Sequence, residues 1–583
     1  MNQIKWVFEN MKGSRWKFFL GLILHNLVII PLVIAGPWVT SEIIRQVFEL
    51  GDTSNLIPLL WLVAGIGIAY AIVQYTWPMM MESAASDVVR NLRMKLYDKL
   101  QSLSPSYYSQ TRTGDIMMRL TGDLDAMRHF VAWVMTNAVY AVLLFVAGLI
   151  VFFSVNWVLA SAIALVSPLM AWLVISLRKQ VGPAYAHHRE TNSQLNATVQ
   201  ENISGNRVVK AFVREDFEQQ KFEACNNAYR DASVNASTIW AKKGPYFGAL
   251  YKLVMVFILV AGGIMVIYNQ LSLSDLMLFF SLNWIINEAM HLVGVVINDA
   301  QRFFSSTQKV QQLYYARTDI RNKENPYDIN NTFGDSVPAV EFSNAAFKYD
   351  NVPVLENINL TANTGETIGI MGPTGSGKTT LTMMMSRFMD ATAGSVKVNG
   401  IDVRDYELKT LRSMIGMSMQ DVFLFSNTID SNIAYGRMEI EEEEAIAYAK
   451  MADAHGFISR MPDGYDTIIG ERGVGLSGGQ KQRVALARAL AYETPILVLD
   501  DTTSAVDMET EKYIQQQLAA RAGVYTTFIV AQRISSVKNA DRIYIIEDGA
   551  ITECGTHHEL LANKGYYYDI FCLQQGITLD KKN

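Results

Sequence analysis

Cysteine is scarce: Cys225, Cys554 and Cys572 are the only three in 583 residues. They are too few and too far apart for a disulfide framework or a metal-binding spacing. Charge is also missing from long stretches. Residues 18–41, 53–81, 130–177 and 253–274 contain no Asp, Glu, Lys or Arg, and 276–298 contain only Glu288. Crossing a bilayer core takes about 20 apolar residues in a helix. The run at 130–177 is long enough for two helices turning at Phe153–Trp157, so six membrane helices are expected. The net charge of −6 is mild and the basic residues follow the loops, so no nucleic-acid partner is expected. No A-x-A-like cleavage site follows the first apolar run. The basic, amphipathic start MNQIKWVFENMKGSRWK therefore reads as an interfacial helix rather than a cleaved signal.

Lys and Arg accumulate on the cytoplasmic side of a membrane protein. Arg90, Arg93, Lys95, Lys99, Arg112, Arg119 and Arg128 lie between spans two and three. Arg178, Lys179, Arg207, Lys210, Arg214, Lys221, Arg230, Lys242 and Lys243 lie between spans four and five, and the other connections carry only Arg45. Both termini are therefore expected in the cytoplasm, with the chain embedded in cell-membrane lipid. Segment 82–103 has apolar residues at helical spacing, which predicts helical cytoplasmic extensions; 113–127 and 208–222 are expected near their turning points. Beyond span six the charges spread evenly, and strand and helix patterns alternate as in an α/β domain. The acidic run at 441–450 reads as the solvated first turn of a helix. The expected organisation is a transmembrane domain at 1–315, a polar linker at 316–336, a nucleotide-binding domain at 337–575 and a polar tail at 576–583. The fold class is an α-helical transmembrane domain, six helices with long cytoplasmic extensions, fused to an α/β P-loop domain.

The chemistry lies in the second half. GPTGSGKT, which is Gly372, Pro373, Thr374, Gly375, Ser376, Gly377, Lys378 and Thr379, follows an apolar strand and precedes a helix starting at Thr380. In this pattern glycines let backbone N–H groups point at phosphate oxygens, Lys378 reaches the β/γ-phosphates and the Thr379 hydroxyl faces Mg²⁺. PILVLDD at 495–501 is an apolar strand ending in Asp500, whose carboxylate suits Mg²⁺. ATP and Mg²⁺ are the cofactors these motifs call for. LSGGQ, which is Leu476, Ser477, Gly478, Gly479 and Gln480, opens another helix and offers a further anion site at its N-terminus.

With LSGGQ the chain resembles the ATP-binding cassette family, and its whole layout is similar to an exporter half-transporter. The resemblance implies that two cassettes meet head to tail, each signature serving the ATP on the opposite P-loop. It also implies roles for single positions. Tyr349 matches the aromatic that stacks on adenine, Gln420 matches the glutamine joining Mg²⁺ to the membrane-domain contact, GERG at 470–473 matches the exporter loop, and Asp507 matches the residue at the dimer seam.

Two positions depart from the family. A glutamate that polarises the attacking water is replaced by Asp501, and the switch histidine by Gln532. One methylene less withdraws the carboxylate by roughly 1–1.5 Å, and a misplacement of that size costs on the order of 100-fold. A neutral amide also cannot become a cation beside the transferring phosphoryl group. The site on this chain's own P-loop is therefore expected to bind ATP and hydrolyse it slowly, while its intact LSGGQ serves a second half-transporter carrying the glutamate and the histidine. The pattern resembles the degenerate-site subunit of bacterial heterodimeric multidrug exporters. The alternatives are a homodimeric lipid or peptide exporter and an ATP-gated, channel-like protein. His25, Trp284, Glu288 and His291 lie in or beside the spans, where ionisable groups face a cavity or a partner, and form a candidate lining for a hydrophobic small-molecule substrate.

Overall fold

The computed structural model describes residues 3–327, 337–521 and 523–577. The expected linker and tail therefore fall partly outside the described residues. Two compact units are present: Met1–Gln101 with Thr111–Ala316, and Ser102–Gln110 with Arg317–Asn583.

Six helical stretches of the first unit are long and apolar enough to cross a membrane: Arg15–Glu49, Leu56–Ser102, Thr113–Val155, Trp157–Ser204, Glu215–Ile267 and Leu273–Tyr314. Span three ends at Val155 and Asn156 caps span four, accepting from the N–H groups of Val158 and Leu159 at 3.0 and 3.1 Å. The charge-free run at 253–274 is not one helix. Span five stops at Ile267, Asn269 takes a left-handed φ of 57°, and Ser272 caps the last span by accepting from the Asp275 N–H at 3.0 Å. Counting charges misses this turn because its signals are neutral polar residues. Short helices form the tips of the long helical extensions: Pro105–Gln110, just ahead of 113–127, and Asn206–Ala211, which overlaps 208–222, so both expected segments lie at or near the turning points.

In the second unit the parallel strands carry the site. Strands β1 (Val340–Tyr349), β2 (Val352–Ala362), β4 (Ala393–Val398) and β5 (Ile401–Asp402) form an antiparallel sheet in the order β2-β1-β4-β5. Strands β3 (Thr367–Met371), β6 (Ile415–Ser418), β7 (Ile496–Asp500), β8 (Thr526–Val530), β9 (Arg542–Glu547) and β10 (Ala550–Gly555) form the second, in the order β10-β9-β3-β8-β7-β6. Its centre is parallel, with β3 beside β8 and β8 beside β7. Those strands are apolar on both faces because each face meets a core. Along β7, Ile496 and Val498 enter one core and Leu497 and Leu499 the other; Phe528 and Ile529 divide in the same way on β8.

The Asn156 cap is the testable joint of the membrane unit. Asn156→Ala removes an acceptor shared by two N–H groups and is expected to cost about 1 kcal/mol, read as an earlier melting transition in detergent.

Candidate active site

In an open parallel sheet, ligands bind beyond the carboxyl ends of the strands. Because β3, β8 and β7 are neighbours, the loops leaving them open on one cavity. Thr374, Gly375, Gly377, Lys378, Thr379 and Thr380 line it after β3, Asp500 and Asp501 after β7, and Ala531 and Gln532 after β8, with Gln420 and Val354 completing the wall.

The P-loop is shaped for an anion. Gly377 has a φ of 99° at the start of the helix Lys378–Met385, and a Cβ there would meet the Val354 carbonyl at 3.0 Å, so only glycine fits. The Lys378 ammonium donates to the carbonyls of Gly372 and Pro373 at 2.9 and 2.7 Å. Ser376 is buried, and its hydroxyl has no hydrogen-bond partner among the described residues. A buried orphan hydroxyl in the same loop as a buried ammonium, at the N-terminus of the helix Lys378–Met385, fits a phosphate chain, and Thr379 with Asp500 fits its Mg²⁺.

The charges are tuned by burial. Desolvation lowers the Lys378 ammonium, opposed by Asp500 and Asp501. Desolvation raises Asp500, with the Thr379 hydroxyl opposing it and the Asp501 charge adding to it. Asp501 is likewise raised by desolvation, against hydrogen bonding from Ser504, the charges of Lys378 and Arg533 and a hydrogen bond from Gln420. Its backbone is left-handed, φ 52°, and its N–H donates to the Val530 carbonyl at 2.9 Å. That bond ties the turn after β7 to the end of β8.

The remaining sequence-predicted residues stand apart from this cavity. Tyr349 ends β1, half-exposed, with its ring edge-on to Phe347 at 4.8 Å and its hydroxyl directed at Met389 Sδ. Leu476 precedes the helix Gly478–Ala491, which Ser477 and Gln480 close with reciprocal side-chain-to-backbone bonds. A Cβ on Gly479 would lie 2.8 Å from the Ala505 carbonyl, so the second glycine lets the signature pack on the loop after β7. Asp507 is exposed and caps the helix Met508–Ala519, accepting from the N–H groups of Glu509 and Thr510 at 3.1 and 2.9 Å. In the membrane unit the His25 ring lies between Trp77 and Tyr140, with centroids 4.0 and 4.5 Å away. Trp284, Glu288 and His291 follow one another along the last span, and no hydrogen bond or ion pair joins Glu288 to His291 among the described residues.

Sequence reasoning missed Gln482. Its amide donates to Ser504 Oγ at 3.0 Å and accepts from the Ala505 N–H at 3.0 Å, bracing the signature helix against the turn that carries Asp501. Its only sequence signal is a polar residue on the helix face that is otherwise buried. Arg488 was missed too; it donates to the Asn432 and Phe423 carbonyls at 2.8 and 2.9 Å and fixes the segment that follows Gln420.

A glycine-rich loop entering a helix, a buried lysine and a strand-end carboxylate pair define a P-loop nucleoside triphosphatase site. The profile described as ABC transporter transmembrane region matches residues 19–290, and the one described as ABC transporter matches 355–504. The chain is 43% identical over 489 residues to the uncharacterized ABC transporter ATP-binding protein YknU of Bacillus subtilis, covering 83% of each chain. It is 32% identical to the putative multidrug export ATP-binding/permease protein YgaD of the same organism, over 98% of this chain and 100% of the other. It is 34% identical to an ATP-dependent lipid A-core flippase of Syntrophus aciditrophicus, over 88% and 86%. Among solved structures, a bacterial Atm1-family ABC exporter with ATP bound matches with a TM-score of 0.79 and 26% identity, over 96% of this chain and 99% of that one. This chain belongs to the ABC transporter family: it is a half-transporter that joins a transmembrane region to a nucleotide-binding domain, a multi-pass membrane protein and an ATPase-coupled exporter.

Raised carboxyls favour their neutral forms, so the nucleotide-free cassette loses stability as pH rises through the elevated Asp500 value and is least penalised in acid. Asp500→Asn is therefore expected to melt a few degrees higher than the wild type at neutral pH without nucleotide. The difference should shrink as pH falls below the carboxylate range. A difference that grows toward acid contradicts this.

Proposed function

We propose that this chain is the degenerate-site subunit of a heterodimeric exporter of hydrophobic or amphipathic compounds, with both termini and the cassette on the cytoplasmic side of the cell membrane. The carrying observation is that Asp501 and Gln532 line one cavity with Lys378 and Asp500. Both departures from the family pattern therefore act on the same phosphate. Lys378 and the P-loop N–H groups bind the triphosphate, and Thr379, Gln420 and Asp500 hold Mg²⁺, which supplies charge neutralisation on the phosphates when bound. Asp501 is short by one methylene and engaged by Ser504 and Gln420, so it orients water poorly. Gln532 donates a neutral hydrogen bond toward the terminal phosphate.

The signature, by contrast, is complete, capped and packed without a gap on the Ala505 carbonyl. Two copies of this chain would pair two intact signatures with two slow sites. A partner carrying the glutamate and histidine gives the signature a competent site to serve, with Asp507 at the seam and Tyr349 stacked on adenine. ATP closes the paired cassettes and turns the membrane cavity outward, and hydrolysis on the partner's P-loop resets it. The names of the relatives, a putative multidrug exporter and lipid A-core flippases, support an amphipathic cargo. His25 beside two aromatic rings, with Trp284, Glu288 and His291 on the last span, forms its lining.

In lipid, the chain alone is expected to bind ATP with very little turnover, and Asp501→Glu with Gln532→His to raise turnover about 100-fold. Rapid turnover by the unmodified chain would favour a homodimeric pump. For the cargo, Glu288→Ala in the assembled exporter is expected to reduce export of hydrophobic cations severalfold while sparing neutral compounds; unchanged cation export removes Glu288 from the lining.

A further inference from the structure

The loop leaving β8 has a second support that the nucleotide motifs do not include. Gln574, on the C-terminal helix Tyr566–Gln575, donates from Nε2 to the Gln532 carbonyl at 2.9 Å and accepts at Oε1 from the Ile534 N–H at 3.0 Å. One side-chain amide thus spans residues 532 and 534 as an adjacent strand would, pairing an acceptor and a donor two residues apart. The helix that presents it is well anchored. Tyr567 is fully buried with its hydroxyl 2.7 Å from His557 Nδ1, and Cys572 is buried as well. Between the two contacts, Arg533 turns the other way, toward the Ser504 and Val506 carbonyls at 3.4 Å each and Glu511 at 3.3 Å. The three-residue switch is therefore held from both sides, by the loop after β7 through Arg533 and by the C-terminal helix through Gln574. The helix lies beyond residues 355–504, the stretch matched by the family profile.

We propose that Gln574 is a positioning residue of the nucleotide site: by clamping the backbone on both sides of Arg533 it aims the Gln532 side chain at the terminal phosphate, which makes the C-terminal helix part of the ATP-sensing machinery. This rests on the reading of Gln532 as the residue that faces that phosphate. Losing the clamp frees the switch to rotate and removes a contact that ATP has and ADP lacks.

The test is equilibrium binding of Mg-ATP and Mg-ADP to the full chain in lipid nanodiscs. Gln574→Ala is expected to weaken ATP by roughly three- to tenfold, the worth of about one net hydrogen bond, and to leave ADP unchanged. Gln574→Glu, which keeps the acceptor for Ile534 but not the donor for Gln532, should fall between wild type and alanine. In a Gln532→Ala background the Gln574→Ala effect should vanish, because the two act through one contact. Equal weakening of ATP and ADP, or an effect that persists without the Gln532 side chain, overturns the positioning role alone. A wild-type chain that binds ATP no better than ADP overturns it together with the reading of Gln532 beneath it.

Discussion

Everything at this site depends on one electrostatic constraint: a buried lysine after β3 and a buried aspartate at the end of β7, with half-buried Asp501 beside it, share one cavity across β8. Buried charges are tolerated only when paired or hydrogen-bonded. Here the pairing is incomplete, since Lys378 is lowered by burial while Asp500 and Asp501 are raised. The pocket is poised for a ligand that brings anionic oxygens to the lysine and a cation to the carboxylates. A magnesium nucleotide does both, so its binding relieves the cost of folding this unit without it. Two cores, one on each face of the sheet, make that cost bearable.

Within that frame, small changes of side chain have large consequences because the backbone leaves little room for adjustment. Asp501 is held by its N–H on the Val530 carbonyl and its carbonyl accepts from Ser504 Oγ at 3.0 Å. A carboxylate on so fixed a backbone cannot recover a missing methylene by shifting. The same turn is braced from the signature helix by Gln482 and from the switch by Arg533. The signature helix is thereby tied through a few hydrogen bonds to the turn that carries Asp501. In the proposed arrangement, where the signature faces a second nucleotide, such ties give one site a physical route to sense the other's occupancy.

Much of this was legible in the sequence, for identifiable reasons. The six spans follow from the free energy of moving charge into hydrocarbon, which leaves long blank stretches such as 130–177. The P-loop, LSGGQ and the acidic strand end are contiguous, and contiguity is what a linear reading captures. The turn at 268–272 was missed because Asn269 and Ser272 are uncharged; the neighbourhood of the first tip was legible, but not its short helix Pro105–Gln110, because six residues have too few turns to show a period. Gln482, Arg488 and Gln574 escaped because their meaning lies in partners 22, 56 and 42 residues away. The sequence order of β3, β7 and β8 likewise does not reveal that β8 lies between the other two.

The central claim of the proposed function is that this chain's own P-loop holds its ATP intact while the P-loop of a different chain hydrolyses a second ATP. The most direct measurement is photoaffinity labelling of the exporter in its native membranes with an azido-ATP, under vanadate trapping, followed by identification of the labelled chain. The account predicts intact triphosphate on peptides containing Lys378 and trapped diphosphate on the P-loop of a second, distinct chain. Trapped diphosphate on the Lys378 peptide, with no second chain labelled, would contradict it.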